Sequence, residues 1–431
     1  MSVNIPETDK KRIVIIGGGF AGLELARRLA KSDYQVVLVD KNNYHQFQPL
    51  FYQVAMSGLE PSSIVFPFRK IFQNAKDAYI RVAEVQSVDT TEKVIQTSVG
   101  EMWYDYLVIA IGADTNFFGN EKIARHAIPM KSVSEALFLR NHIIEDYETS
   151  VTIRDFKERQ KYIDIVIVGG GPTGVEVAGA LAEMKKFVIP KEYKELDYKE
   201  IDIHLLQGGD QLLAGMSEKS SVAALKFLTD LGVKVQLNCR VTDYDGDYVY
   251  TKDGQKIPTH KLIWAAGIIG NKLQGVPEDL LVRGNRIRVN AYNQVEGMED
   301  VFAVGDIAYM ENDEYEYGHP QVAQTAIQQG KNLAKNFKRM LKGQELQAFE
   351  YFDKGTMATI GRHKAVVDLP KFSFNGSLAW FAWLAVHLFA IIGVKNKLFI
   401  FFNWLWSYLM YNQSLRLIIR PYTKTEDKVQ V

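Results

Sequence analysis

The chain has 431 residues, and 51 Lys+Arg balance 51 Asp+Glu. Zero net charge excludes a broad nucleic-acid-binding surface as the default, because covering phosphates takes an excess of Lys and Arg. A hydrophobic content of 47% excludes disorder, and the single cysteine, Cys239, excludes an internal disulfide, a dithiol redox motif and a cysteine-based metal cluster.

The length suggests about two or three domains. Residues 1–12 are polar. The apolar run 13–16 ends in Gly17-Gly18-Gly19, which reads as a buried strand entering a tight turn rather than the core of a signal peptide. The lack of disulfides fits a reducing compartment. The strand, Gly17-x-Gly19-x-x-Gly22 and a helix follow one another in the pattern of a dinucleotide-binding turn. There the first glycine makes the turn, the second lets backbone approach a pyrophosphate, and the third lets helix and strand pack closely. The next strand, 35–40, ends in Asp40, where an acid binds a ribose hydroxyl pair. A lone motif of this kind also occurs as a ligand-free Gly-rich turn.

The strand 106–112 ends in Gly112. Then the device recurs: Ile163-Asp-Ile-Val-Ile-Val is followed by Gly169-x-Gly171-x-x-Gly174 and Glu176. A Lys-, Glu- and Tyr-rich insertion at 185–200 separates this helix from the strand 201–207. The position expected to hold an acid is therefore Gln207. A neutral amide still bonds a ribose hydroxyl but does not repel a 2′-phosphate, so NADPH stays open; no Arg follows within ten residues to bind that phosphate, so NADH comes first. Cys239, alone after a strand at 233–237, reads as structural. Two more strands end in glycine, at Gly267 and at Gly305-Asp306. Such glycines suit close approach of a cofactor, or an ordinary turn.

Residues 322–341 read as a helix with a small-apolar face at Ala323, Ala326, Ile327 and Gly330, preceded by His319-Pro320. Gln324 and Gln328, four apart, point the same way. They form either a binding pair or a solvated pair on an exposed face. Residues 377–394 carry one ionisable group, His387, and four of the six tryptophans lie at Trp380, Trp383, Trp404 and Trp406. Both apolar stretches are short for crossing a bilayer. The second is striped by Asn396, Asn403, Ser407 and Tyr411, with Arg416 and Arg420 beyond it. That reads as an amphipathic helix lying on a membrane. A transmembrane element and a dimer-interface or core role are the alternatives. His387 is a satisfied core residue or a proton-relay candidate.

Two fused dinucleotide folds with the late Gly-Asp strand resemble the two-dinucleotide-binding-domain flavoproteins. Within that group the chain resembles the type II NADH:quinone oxidoreductases. The likeness is carried by Tyr44-His-Gln-Phe-Gln-Pro49-Leu50-Phe-Tyr-Gln-Val-Ala, the second glycine motif ending in Glu176, Ala323-Gln324-Thr-Ala-Ile-Gln328-Gln329-Gly330, and Met357-Ala-Thr-Ile-Gly361-Arg362. It runs from about residue 11 to near residue 411. It implies an α/β fold of two Rossmann-like dinucleotide-binding domains, for FAD and NAD(P)H, plus a C-terminal membrane-associating helical region. The expected bounds are 1–115 with 290–345 for FAD, 116–289 for NAD(P)H, and 346–431 for the membrane region. The resemblance places Asp306 at the ribityl and phosphate part of FAD, Glu176 near the nicotinamide, and Gln324 and Gln328 at the quinone site, where two amides hold carbonyl oxygens without adding charge. If the start of their helix faces the flavin, its dipole favours negative charge on the reduced ring.

Related disulfide reductases and sulfide:quinone oxidoreductases need a cysteine pair, which this chain lacks. The expected function is FAD-dependent electron transfer from NADH to a membrane quinone without proton pumping. The expected location is peripheral, on the cytoplasmic face of the cell membrane, with the lipid surface as a partner and a homodimer left open. The alternatives are a soluble NAD(P)H-dependent flavin reductase of another acceptor and a redox-sensing flavoprotein with a partner-binding tail.

Overall fold

The structure is a computed structural model and describes residues 2–410 and 415–419. The chain divides into two compact units. The first takes in 1–46, 65–116 and 268–354; the second takes in 47–64, 117–267 and 355–431.

The first unit is built on a five-stranded parallel sheet in the order Val301–Ala303, Tyr106–Ile109, Arg12–Ile16, Gln35–Asp40, Ala78–Val82. Arg12–Ile16 is the middle strand and is buried throughout. Its unbroken apolar run, without alternation, is what burial on both faces requires. The helix Phe20–Leu29 packs against the helix Ala323–Met340. The two backbones come close enough that a Cβ on Gly330 would lie 2.5 Å from the Ala21 carbonyl oxygen. Tyr34 donates a hydrogen bond to the Phe337 carbonyl (2.9 Å) and meets Tyr106 and Phe337 edge to face.

The second unit holds a four-stranded parallel sheet, Lys234–Gln236, Ile203–Leu206, Ile165–Val168, Lys261–Trp264. The helix Pro172–Phe187 lies against it. An antiparallel sheet, Thr356–Thr359, Ala365–Leu369, Phe372–Gly376, packs on the same helix. A Cβ on Gly179 of that helix would lie 2.7 Å from the Gly361 nitrogen, so this glycine permits the contact. The helices Ser377–Ala390 and Val394–Met410 follow. The short helix Phe51–Ala55 packs against Val133–Ser150 and Pro172–Phe187.

The fold class expected from the sequence holds; the two compact units divide the chain in a way of their own. Residues 268–289 group with the first unit, because Ile268–Gly270 pairs antiparallel with Ala113–Thr115. Residues 355–431 group with the second unit, on whose elements their sheet and helices pack. The glutamine helix spans Ala323–Met340, within a residue of expectation at each end. Cys239 is buried, and its amide donates to the Gln207 carbonyl, consistent with a structural role.

Candidate functional site

In the first unit Gly17 sits at φ +99°, and a Cβ there would lie 2.4 Å from the Ala110 carbonyl oxygen. At Gly22 a Cβ would lie 1.9 Å from the Gly17 carbonyl oxygen. The protein's own backbone therefore demands both glycines. Gly19 is different: a Cβ there would meet no atom within 4 Å. The middle glycine leaves room on the open side of the loop. It is also the N-cap of Phe20–Leu29 and supplies no side-chain cap, so the helix start turns its positive dipole end to that space.

The second unit repeats this arrangement. Gly169 has φ +110° and a built Cβ 2.4 Å from the Ala265 carbonyl oxygen. Gly174 is 1.9 Å from the Gly169 oxygen on the same test, and Gly171 meets nothing within 4 Å. Pro172 opens the helix behind it, where a missing N–H costs no hydrogen bond. Both loops thus fit a dinucleotide pyrophosphate, and neither middle glycine is explained by packing.

Asp40 ends its strand and accepts hydrogen bonds from the Gly18 and Asn42 amides, each at 2.7 Å. Burial raises its pKa, and those two bonds and Lys41 oppose the shift. Gln207 occupies the matching place. Its Oε1 accepts from the Gly170 amide at 2.9 Å, and its Nε2 donates to the Gln211 carbonyl at 3.2 Å. The amide therefore braces the glycine loop as the carboxylate does. The sequence did not single out His45, which is buried with its Nδ1 2.9 Å from the Gly18 carbonyl oxygen. That oxygen can only accept, so Nδ1 carries the proton.

Gly112 has φ +67° and follows the strand Tyr106–Ile109. Gly267 follows Lys261–Trp264. Gly305 and Asp306 form a single helical turn beside the glutamine helix. There the Gln329 side chain accepts the Gly305 amide at 2.7 Å, and Gln321 donates to the Asp306 carbonyl at 2.8 Å. Gln329 is buried and is a site-shaping residue that the spacing argument passed over. The amides of Gln324 and Gln328 are engaged with the segment 352–354. Gln328 donates to the Phe352 carbonyl at 2.9 Å and accepts its amide at 3.0 Å. Gln324 accepts the Lys354 amide at 3.0 Å and approaches Asp353 at 3.3 Å. The pair does point the same way, and it clasps chain rather than lying solvated.

In the second unit Glu176 is 9% exposed. Burial pushes its carboxyl up to about 8, against a hydrogen bond from the Thr359 amide (3.4 Å). It is neutral at pH 7. Its folded pKa lies above the unfolded value, so the folded state binds the extra proton, and stability falls as pH rises from about 4.5 through about 8. Glu176→Gln removes that loss, which is at most about 1.4 kcal/mol per pH unit. The variant's unfolding midpoint is expected to fall less than the parent's between pH 5 and pH 9. Parallel pH profiles for the two proteins would contradict the buried, protonated carboxyl.

His387 stacks on Trp383 with ring centroids 4.0 Å apart, and its Nδ1 lies 2.8 Å from the Trp383 carbonyl oxygen. Burial lowers its pKa to about 4. It is a neutral ring at pH 7, with Nε2 as the acceptor.

The two last helices turn large apolar side chains outward: Leu378, Phe381, Phe389, Leu398, Phe402 and Trp406 are all exposed. Asn396 of the expected polar stripe bonds the Ser62 and Ser63 carbonyls (3.2 and 3.0 Å), so at that position the stripe faces protein. The Ser407 side chain, Tyr411 and Arg420 lie outside the described residues. Arg416 pairs with Glu192. No helix among the described residues is long and apolar enough to cross a membrane.

Residues 11–330 match the pyridine nucleotide-disulphide oxidoreductase family, and residues 354–411 match the NDH2 C-terminal domain. The type II NADH:quinone oxidoreductase NdhA of Mycobacterium tuberculosis is 35% identical over 412 residues, 92% of this chain and 86% of that protein. A type II NADH:quinone oxidoreductase of Staphylococcus aureus is 28% identical over 372 residues, 83% of this chain and 89% of that protein. The structure of NDH2 from Plasmodium falciparum in complex with NADH aligns at a TM-score of 0.88 and 22% identity, covering 95% of this chain and all of that one. This last likeness concerns the fold.

Proposed function

The chain belongs to the pyridine nucleotide-disulphide oxidoreductase family and, within it, to the type II NADH:quinone oxidoreductases, and from that premise we propose how its residues divide the work. The reaction is FAD-dependent electron transfer from NADH to a quinone. Bound FAD would supply the two-electron relay between nicotinamide and quinone, chemistry that no side chain offers.

The first glycine loop, with Gly17, Gly19 and Gly22, holds the FAD pyrophosphate at the start of Phe20–Leu29, and Asp40 holds the ribose hydroxyls. Asp306, with Gly112 and Gly305, borders the remainder of that cofactor. The second loop, with Gly169, Gly171 and Gly174, holds NADH, and Gly267 borders it. Gln207 braces this loop and leaves its ribose site without a negative charge, so NADPH is less strongly refused than an acid there would ensure. The start of Ala323–Met340 has no side-chain cap, and its positive end favours electron density gathering beside it. Gln324 and Gln328 fix the segment 352–354 at that helix and so shape the quinone site. Glu176, protonated at neutral pH, acts near the nicotinamide or the quinone path. His387, neutral, packs the aromatic wall and keeps Nε2 as an acceptor.

The enzyme works while attached to a membrane, on its cytoplasmic face, and draws quinone from the bilayer. The observation that carries the nucleotide reading is the twofold glycine signature, in which the middle glycine alone has no partner inside the protein. The test is anaerobic. NADH should bleach the flavin of the purified protein, and a quinone analogue should restore the colour. Gln324→Ala with Gln328→Ala should slow the second step about tenfold or more and leave the first unchanged. A flavin that NADH does not bleach would refute the assignment, and bleaching that quinone does not reverse would point to another acceptor.

A further inference from the structure

The second unit holds a cavity that these roles leave unused. Its walls are Tyr52, Gln53, Glu183 and Arg362, with the rings of Trp383 and Trp404 among others. Its volume of ≈ 90 Å³ holds several waters. Glu183 lies two helical turns beyond Glu176 on the same face of Pro172–Phe187.

Three separate hydrogen-bonded groups surround the cavity, which Tyr52, Glu183 and Thr359 all line. The Arg362 amide donates to Glu183 Oε1, and the Thr359 amide donates to Glu176 Oε1. Gln53 donates to the Tyr52 hydroxyl oxygen at 2.8 Å, and Trp404 donates to Gln53 Oε1 at 2.8 Å. With that oxygen already accepting from Gln53, the Tyr52 O–H is left to donate. Burial first, then any negative charge that Glu176 or Glu183 takes on, raises the Tyr52 pKa well above that of an ordinary phenol. Tyr52 therefore remains a neutral phenol within the field of both carboxyls. Burial likewise raises Glu183. Arg362, His363, His387 and Tyr408 are the other titratable groups around these walls.

Proton balance calls for such a path. Quinone takes up two electrons and two protons. The hydride of NADH brings both electrons and one proton, so NADH + H⁺ + quinone gives NAD⁺ + quinol. The second proton comes from water. We propose that Glu183 and Tyr52 relay that proton: it enters the cavity, protonates Glu183, crosses the Tyr52 hydroxyl and reaches Glu176, which releases it toward the quinone oxygen. This rests on the function proposed above. Glu183 and Tyr52 touch neither substrate; they supply Glu176.

The test uses the full-length flavoprotein with two acceptors. Menadione needs protons, whereas ferricyanide takes electrons alone. Glu183→Gln and Tyr52→Phe should each slow menadione reduction about a hundredfold, with a larger solvent deuterium effect, while ferricyanide reduction by NADH keeps the parent rate. In the infrared, Glu183→Gln should remove one protonated-carboxyl band that persists to higher pH than an ordinary carboxyl's, independently of turnover. Parent-like menadione rates in both variants would overturn the relay. Equal losses with both acceptors would overturn it too, since the residues would then be structural. If the parent protein reduces ferricyanide but not menadione, the quinone reading falls and takes the relay with it.

Discussion

Gly171→Ala is expected to leave the protein folded and flavin-loaded, yet weaken NADH roughly tenfold to a hundredfold. Gly174→Ala, three residues on, is expected to destabilise the second unit outright. The contrast follows from what a single methyl group meets. At 174 it would lie 1.9 Å from the Gly169 carbonyl oxygen, where helix and turn are both fixed backbone. At 171 it enters space that no protein atom occupies, on an extended backbone at φ −74° that alanine adopts freely. Only a bound pyrophosphate would feel it, and crowding of this kind costs about 1–3 kcal/mol. Thermal unfolding and NADH titration separate the two effects. If both substitutions unfold the protein alike, or Gly171→Ala binds NADH normally, the loop does not hold the nucleotide as described. Gly19 and Gly22 should behave in parallel toward FAD.

The second large effect concerns the outward apolar face of the last two helices. Wild-type protein is expected to float with lipid vesicles, and Phe389→Asp combined with Phe402→Asp is expected to stay in the aqueous fraction. Both side chains are exposed, at 77% and 61%. Burying a phenyl ring in an apolar layer is worth about 1.5–3 kcal/mol. Losing two shifts partition by about 3–6 kcal/mol, a hundredfold at least. Val222→Asp, at 61% exposure on the helix Glu218–Asp230, is the control and should not alter flotation. Release by the control, or retention of the double variant, would remove these helices from the membrane contact.

Local pattern explains which parts of this molecule could be read directly from the chain. The glycine loops, the strands ending at Asp40 and Gln207, and the glutamine helix announce themselves, because turn sterics and helical period act over a few residues. Gln329 did not, although it adjoins Gln328. Its value comes from the Gly305 amide, which reaches it only through the folded sheet. The clasp of Gln324 and Gln328 on 352–354 was hidden for the same reason, since that segment carries no periodic signal. Tyr52 and Glu183 belong to distant stretches that a fold must bring together. The last two helices were legible as apolar. The partner of their polar stripe was not: Asn396 bonds the carbonyls of 62 and 63, which only the fold brings to it.

The first unit is assembled from three stretches of chain, 1–46, 65–116 and 268–354. This sets an order on biosynthesis. Its sheet gains the edge strand Val301–Ala303, and its long helix Ala323–Met340, only after the intervening segment has left the ribosome. At about 5–20 residues per second, that is a wait of roughly ten to fifty seconds after residue 116 emerges. During that interval Tyr106–Ile109 presents an unpaired apolar edge. A chain built this way completes its first unit, and with it the place for FAD, only near the end of synthesis.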